Sequence, residues 1–383
     1  MSEAWFNEER LEHLQRAIAE DIDAGRHYGA VIAVARGGRP GIHAAIGHAD
    51  AARKQPLQLD SVFSIFSVTK AITNVLVLRA IELGRFALTT RISDLVPQFS
   101  AAVRNEITVF HLLTHTSGLP MVFAIKPEMF IDRFDEMVAA VCANVVPAEP
   151  PGERVAYSPL VNHVLLGEAL RRTDPQRRSY RAIVQEDLFT PLKMRDSSVG
   201  LRRDLRARHV VPDLRGNFPI THPGHSNLGP NGAFQEEDAE MPWVGVASTV
   251  SDMLRFAEML RRRGELDGAR ILSPATLELA TRNWTGEKPN ELTTARSQQR
   301  GWPPEPAYFG LGFALRGTAV CHHLFGTLAS PGTFGNHGAG STIYWVDPAR
   351  DLSFVCLTAG VMGSLDNIER FQRLSDIASS AAT

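Results

Sequence analysis

The run FSIFSVTKAITNVLVLRAIELG, residues 63–84, constrains this chain more than any other stretch. Its interior, Ala71, Ile72, Val75, Leu76, Val77, Leu78 and Ile81, is apolar almost all round, the pattern of a helix enclosed by protein on every side. The spacing predicts a helix over about 67–83, closed by Gly84. Any fold must wrap a core around this segment, and one lysine goes in with it. Lys70 is one of five lysines in 383 residues and follows Ser67 at i+3, so the two side chains share a helix face. A serine hydroxyl becomes a useful nucleophile when a neighbouring base takes its proton. Burial lowers the pKa of an amine, and the positive potential of a helix N-terminus acts in the same direction. The Ser67 backbone N–H, at that terminus, can also donate to a developing oxyanion. Ser-x-x-Lys is short, and chance supplies roughly 0.3 matches at this composition, so its meaning comes from context.

A chain of 383 residues buries a substantial core and is expected to divide into two lobes. The net charge of −2 and the lack of a long basic run argue against nucleic acid or an anionic membrane as partner. The first 25 residues carry charges throughout, with Leu11, Leu14, Ile18 and Ile22 on one stripe, which predicts an amphipathic helix and not a signal peptide. Cys142, Cys321 and Cys356 are scattered without metal-binding spacing, and a reducing cytoplasm is the simplest setting. No cofactor is expected, and the oligomeric state is left open.

Strand signals sit at both ends. GAVIAVARGGRPGIHAAIG reads as a hairpin around Gly-Gly-Arg-Pro, and STIYWVDPARDLSFVCLTAG as a second around Asp347-Pro348, followed by a helix over 367–378. Between them, from 85 to 243, proline-rich helix and loop dominate. The expected organisation is α+β: a discontinuous sheet domain, 1–84 with 244–383, a mostly helical inserted domain, 85–243, and a ligand cleft between them.

Five further stretches accompany FSVTK: ITVFHLLTHTSGLP (107–120), PGERVAYSPLVNHVLLGEAL (151–170), FTPLKMRDSS (189–198), VGVASTVSDMLRFAEML (244–260) and FGNHGAGSTIYWVDP (334–348). In this order the chain resembles the serine beta-lactamase and penicillin-binding-protein-like superfamily, and within it the class C-like esterases (family VIII carboxylesterases) and transesterases. The resemblance implies a beta-lactamase/transpeptidase-like fold, an antiparallel sheet flanked by the N- and C-terminal helices. Tyr157 in AYSPL matches the family's second catalytic residue. Ser158 suits an N-cap and Pro159 the first helical position, so a helix is expected to begin at Pro159 with Tyr157 projecting from the turn before it. A phenol accepts a proton at neutral pH only where an ammonium such as that of Lys70 stabilises its phenolate. Lys70 and Tyr157 are therefore taken together as general base and acid for Ser67.

The third motif departs from the family pattern. Lys-Thr-Gly is replaced by Asn336, His337 and Gly338, so no permanent cation stands there, though His337 could be protonated in part. The position after Tyr157-Ser158 is Pro159 where the family commonly has asparagine. Both departures favour neutral esters over beta-lactams or peptides, leaving beta-lactamase, D-aminopeptidase or amidase activity less favoured. By resemblance, the Ala339 N–H is the second oxyanion donor. Gly338 and Gly340 either allow close approach or shape a bulge. Trp243, Phe123 and Phe334 are candidates for an acyl pocket or for plain packing. The substrate is expected to be a small ester or acyl donor. Hydrolysis and transfer to an alcohol share their first half-reaction, and the sequence does not separate them.

His111 and His115 stand at i and i+4, as zinc ligands can, but no third ligand follows, and the resemblance makes Thr-His-Thr-Ser-Gly structural; no metal is expected. His322-His323 has no supporting pattern, and 222–225, with a histidine at each end, either lines the cleft or crosses its surface. No Gly-x-Ser-x-Gly string offers another nucleophile.

Overall fold

In the computed structural model, which describes residues 5–126, 129–213 and 233–383, both ends of the chain feed one antiparallel sheet. Its strands are β1 (Gly29–Arg36), β2 (Arg39–Gly47), β3 (Ala314–Leu315), β4 (Phe334–Gly338), β5 (Thr342–Asp347) and β6 (Leu352–Ala359). They lie in the order β2-β1-β6-β5-β4-β3. Both expected hairpins form. Gly37 and Gly38 turn the first at positive φ, a conformation that glycine adopts without a side-chain clash. The pairing of β1 with β6, from Gly29 opposite Ala359 to Arg36 opposite Leu352, joins the first hairpin to the second.

Side chains alternate across this sheet as the pleat requires. Ile32 and Val34 pack with Leu14 and Ile18 of helix α1 (Glu8–Asp23) and with Phe371 and Leu374 of the C-terminal helix (Ser364–Ala381). That last helix is longer than 367–378 because its end stays useful to the core: Ala378 and Ala381 are buried. Val31 and Ala33 face the other way, into the core that contains Phe256 and the apolar helix α2 (Thr69–Glu82).

Helix α2 is buried along almost its whole length, and Gly84 ends it at positive φ. Its α-helical part starts at Thr69 and not at Ser67, because Phe66–Val68 forms a separate 3-10 turn. A four-stranded sheet of very short strands supports that turn. Residues 62–64 pair with 246–248 and 209–210, and 198–199 pairs with 246–247. The Ile65 N–H donates to the Val246 carbonyl at 3.0 Å, and Thr342 Oγ1 donates to the Ile65 carbonyl at 2.9 Å. Ser67 is thus fixed from two sides of the molecule. The helix expected at Pro159 begins at Val161 instead, with Leu160 and not Ser158 at its N-cap; Ser158 Oγ accepts the N–H of Asn162 in the first turn at 3.1 Å. No helix among the described residues is long and apolar enough to cross a membrane.

The end of β4 runs directly against the Phe66–Val68 turn. A Cβ on Gly338 would meet the Ile65 carbonyl oxygen at 2.5 Å and Thr342 Oγ1 at 2.4 Å, and one on Gly340 would enter the Phe66 ring. Both glycines therefore serve close approach between strand and turn. Gly338→Ala is expected to cost about 1–3 kcal/mol of stability, the usual range for overpacking, read as a lower midpoint in urea unfolding.

Candidate active site

Phe66 has φ +50, a left-handed conformation that a bulky residue adopts only under constraint. The constraint is the pair of hydrogen bonds on Ile65 just described, and its result is to turn Ser67 into a cavity of about 180 Å³. Lys70, one turn on, is 1% exposed, and its Nζ lies 3.1 Å from Ser67 Oγ. Nζ also donates to the Trp243 carbonyl at 3.0 Å. Burial pushes the amine well below its ordinary pKa, and among the described residues no carboxylate pairs with it. The shift favours the neutral amine, whose lone pair is available to the serine.

Tyr157 reaches the same point from the other wall. Lys70 Nζ lies 5.3 Å from its ring centroid, and a hydrogen bond with Ser67 acts on its hydroxyl. Enclosure pushes the phenol up to about 12, against smaller downward pulls from Ser67 and Arg296. This reverses the expectation that a Lys70 ammonium would sustain a phenolate. Both groups favour their neutral forms, so the amine can take a proton while the phenol has one to give.

Asn290, which the sequence reading overlooked, and His115, which it took as structural, hold Tyr157 and its neighbour in place. The Tyr157 N–H donates to Asn290 Oδ1 at 3.2 Å, and the next N–H, of Ser158, donates to His115 Nδ1 at 3.1 Å. The His115 ring lies 4.7 Å from the tyrosine ring and 5.9 Å from His163, whose Nε2 is 3.0 Å from Asn74 Oδ1. Burial, with the nearby Lys70, pushes His115 down to about 3. It is a neutral acceptor and not a proton shuttle at neutral pH. Asn74 was a readable signal, a polar residue at i+4 from Lys70 in an otherwise apolar helix; Asn290, 133 residues from Tyr157, offered none.

The beta-lactamase family model matches residues 14–378. The chain belongs to the beta-lactamase family. Protein Rv1367c of Mycobacterium tuberculosis (strain ATCC 25618 / H37Rv) is 26% identical over 385 residues, covering 91% of this chain and 89% of that protein. The crystal structure of a family VIII carboxylesterase gives a TM-score of 0.78 at 20% identity, covering 96% of this chain and 97% of that one. EstCE1, described as a hydrolase with promiscuous acyltransferase activity, gives 0.76 at 22% identity, with 96% and 99% covered. The beta-lactamase/transpeptidase fold read from the motifs is thus shown, and the protein is a hydrolase of this family.

In this beta-lactamase fold the third motif flanks the cavity on strand β4. His337 opens onto the cavity's solvent with protein close around it, and that enclosure, with Arg296 and Lys70, pushes its imidazole below the ordinary value. It is neutral at pH 7, so partial protonation does not restore the missing cation. Asn336 lines the cavity, but its amide is engaged at both ends, donating to the Gly312 carbonyl at 3.2 Å and accepting from the Tyr344 hydroxyl at 3.0 Å. Gly338 and Ala339 also line the cavity, as do Trp243 and Phe123. Phe334 does not: it is 2% exposed and packs edge-on against Phe313, 5.3 Å between centroids. It lies on the same face of the strand as Asn336 but deeper, in the core with Phe313, Leu315 and Tyr344.

Other candidates resolve into structure. His111 Nδ1 accepts the Thr108 N–H at 3.2 Å and caps its own short helix. His322 stacks on Trp302 at 3.8 Å, and His323 Nδ1 accepts the Phe325 N–H at 3.1 Å. Among the described residues no three His, Cys, Asp or Glu side chains gather as a metal would need. The segment 222–225 lies outside the described residues.

The direction of the Lys70 shift sets a pH dependence. Phosphonylation of Ser67 by a fluorophosphonate, measured as a second-order rate, should climb with pH as Lys70 loses its proton and level off well below the pH at which a solvated lysine titrates. Lys70→Arg, whose guanidinium stays protonated, should lower the plateau by about 10²–10⁴-fold.

Proposed function

We propose that the protein hydrolyses carboxylic esters through an acyl-enzyme on Ser67. The observation that carries this reading is the buried amine of Lys70 against Ser67 Oγ, unpaired by any described carboxylate, at the floor of a cavity walled by aromatic side chains. As Ser67 Oγ attacks the ester carbonyl, its proton passes to Lys70 Nζ. Negative charge grows on the carbonyl oxygen, toward the backbone N–H groups of Ser67 and Ala339. Collapse breaks the bond to the alcohol, which leaves with a proton from the Tyr157 phenol, and Lys70 returns a proton to that phenol. Water then repeats the sequence on the acyl-enzyme and releases the acid. The neutral third motif supports an ester over a beta-lactam or a peptide carboxylate as the main substrate at that position.

A second reading has one supporting observation, the likeness to EstCE1, whose description includes acyltransferase activity. In it an alcohol replaces water in the second half-reaction. The division of a butyryl donor between butyric acid and a new ester, followed by chromatography with an added alcohol, separates the two.

Purified protein is expected to hydrolyse p-nitrophenyl butyrate, with Ser67→Ala and Lys70→Ala each at least about 10³-fold slower. Turnover by wild-type protein no faster than by Ser67→Ala overturns the reading. Intact mass after mixing with the ester should show a butyryl adduct on wild-type protein alone.

A further inference from the structure

A cation does stand in the cavity, on an element where the sequence motifs do not place one. Arg296 lies on the short helix Glu291–Ser297 and lines the same cavity as Ser67, Tyr157 and His337. Its guanidinium is partly buried, and its Nη1 donates to Ser364 Oγ at 3.1 Å. Among the described residues no carboxylate lies within ion-pair distance of it. Glu305, a carboxyl on the same cavity, meets the side chain of Ser297, the residue after Arg296; burial pushes its pKa up to about 7, and it forms no ion pair with the guanidinium.

A guanidinium withdrawn into an apolar cavity without a counterion is costly unless a ligand supplies the charge, and its planar fork of donors fits a carboxylate. Its position also says which end of a substrate it would meet. The helix that carries Arg296 has Asn290 at its N-cap, whose Oδ1 accepts the Tyr157 N–H at 3.2 Å, so the guanidinium stands on the wall from which the phenol protonates the leaving alcohol.

We infer that Arg296 is a specificity-determining residue that selects esters whose alcohol portion carries a carboxylate. This rests on the esterase reading above and narrows it. The third motif has lost its own cation, and a helix more than 30 residues earlier in the chain returns one to the cavity. The neutral third motif therefore does not exclude anionic substrates; it moves the point of recognition to a different wall.

The test is arranged so that the chemistry is not needed. 4-Butyryloxybenzoate and its methyl ester differ only in the charge on the alcohol portion. Calorimetric binding to Ser67→Ala protein, which cannot be acylated, should show the carboxylate form bound about tenfold tighter, the scale of one charged hydrogen-bonding contact. The preference should vanish in the Ser67→Ala, Arg296→Gln protein and survive largely in Ser67→Ala, Arg296→Lys. Added salt should weaken the carboxylate form alone. Equal affinities for the two esters, or a preference that persists in Arg296→Gln, overturns the inference. Hydrolysis of the methyl ester by wild-type protein reports separately on the esterase reading, so failure of one is not mistaken for failure of the other.

Discussion

A primary amine held out of water between a serine hydroxyl and a backbone carbonyl sets the terms for everything around it. Burial forces Lys70 toward its neutral form, and a neutral amine in a core needs partners for its protons. The Trp243 carbonyl is one, and the first turns of helix α2 hold it in place. Thr73 Oγ1 donates to the Pro242 carbonyl at 2.6 Å, and Thr69 Oγ1 accepts the Val246 N–H at 3.1 Å. The helix that carries the base thus also binds the segment that solvates it. Trp243 matters twice, once as cavity wall and once through its backbone.

The phenol is positioned by a different logic. Tyr157 sits in a segment without regular structure, where nothing local would fix a side chain to the accuracy that proton transfer needs. Backbone hydrogen bonds to Asn290 and His115 supply that accuracy from outside, and the His115 ring packs beside the tyrosine ring. A histidine kept neutral by burial can accept a backbone N–H at every physiological pH. Its role in Tyr157's surroundings is geometric.

Charge in the cavity is distributed sparingly. Burial lowers the pKa of Lys70 and pushes that of Tyr157 up to about 12, and Arg296, always protonated, stands on the same cavity. A permanent charge in low-dielectric surroundings acts strongly on whatever enters, and on the pKa values of its neighbours. The same arginine that pulls on the phenol is therefore placed to select a substrate.

Much of this was legible in the residues alone. The apolar run after Ser67 required a buried helix, alternation in the terminal segments required two hairpins, and Gly84 marked where the helix ends; these depend on periodicity and turn chemistry, which act over a few residues. Ser67 and Lys70 are neighbours on one helix, so their meeting followed from helix geometry. The left-handed Phe66, the hold of Asn290 on Tyr157, the core position of Phe334 and the entry of Arg296 into the cavity were not legible. Each depends on chain segments tens to hundreds of residues apart arriving at one place, and no local pattern encodes that arrival. The sequence by itself determined the meeting of Ser67 with Lys70 and the family of folds, because those rest on short-range spacing and on motif order. Only tertiary structure decided which groups are neutral and where the remaining charge lies, because a pKa is set by what surrounds a group in space and not by what precedes it in the chain.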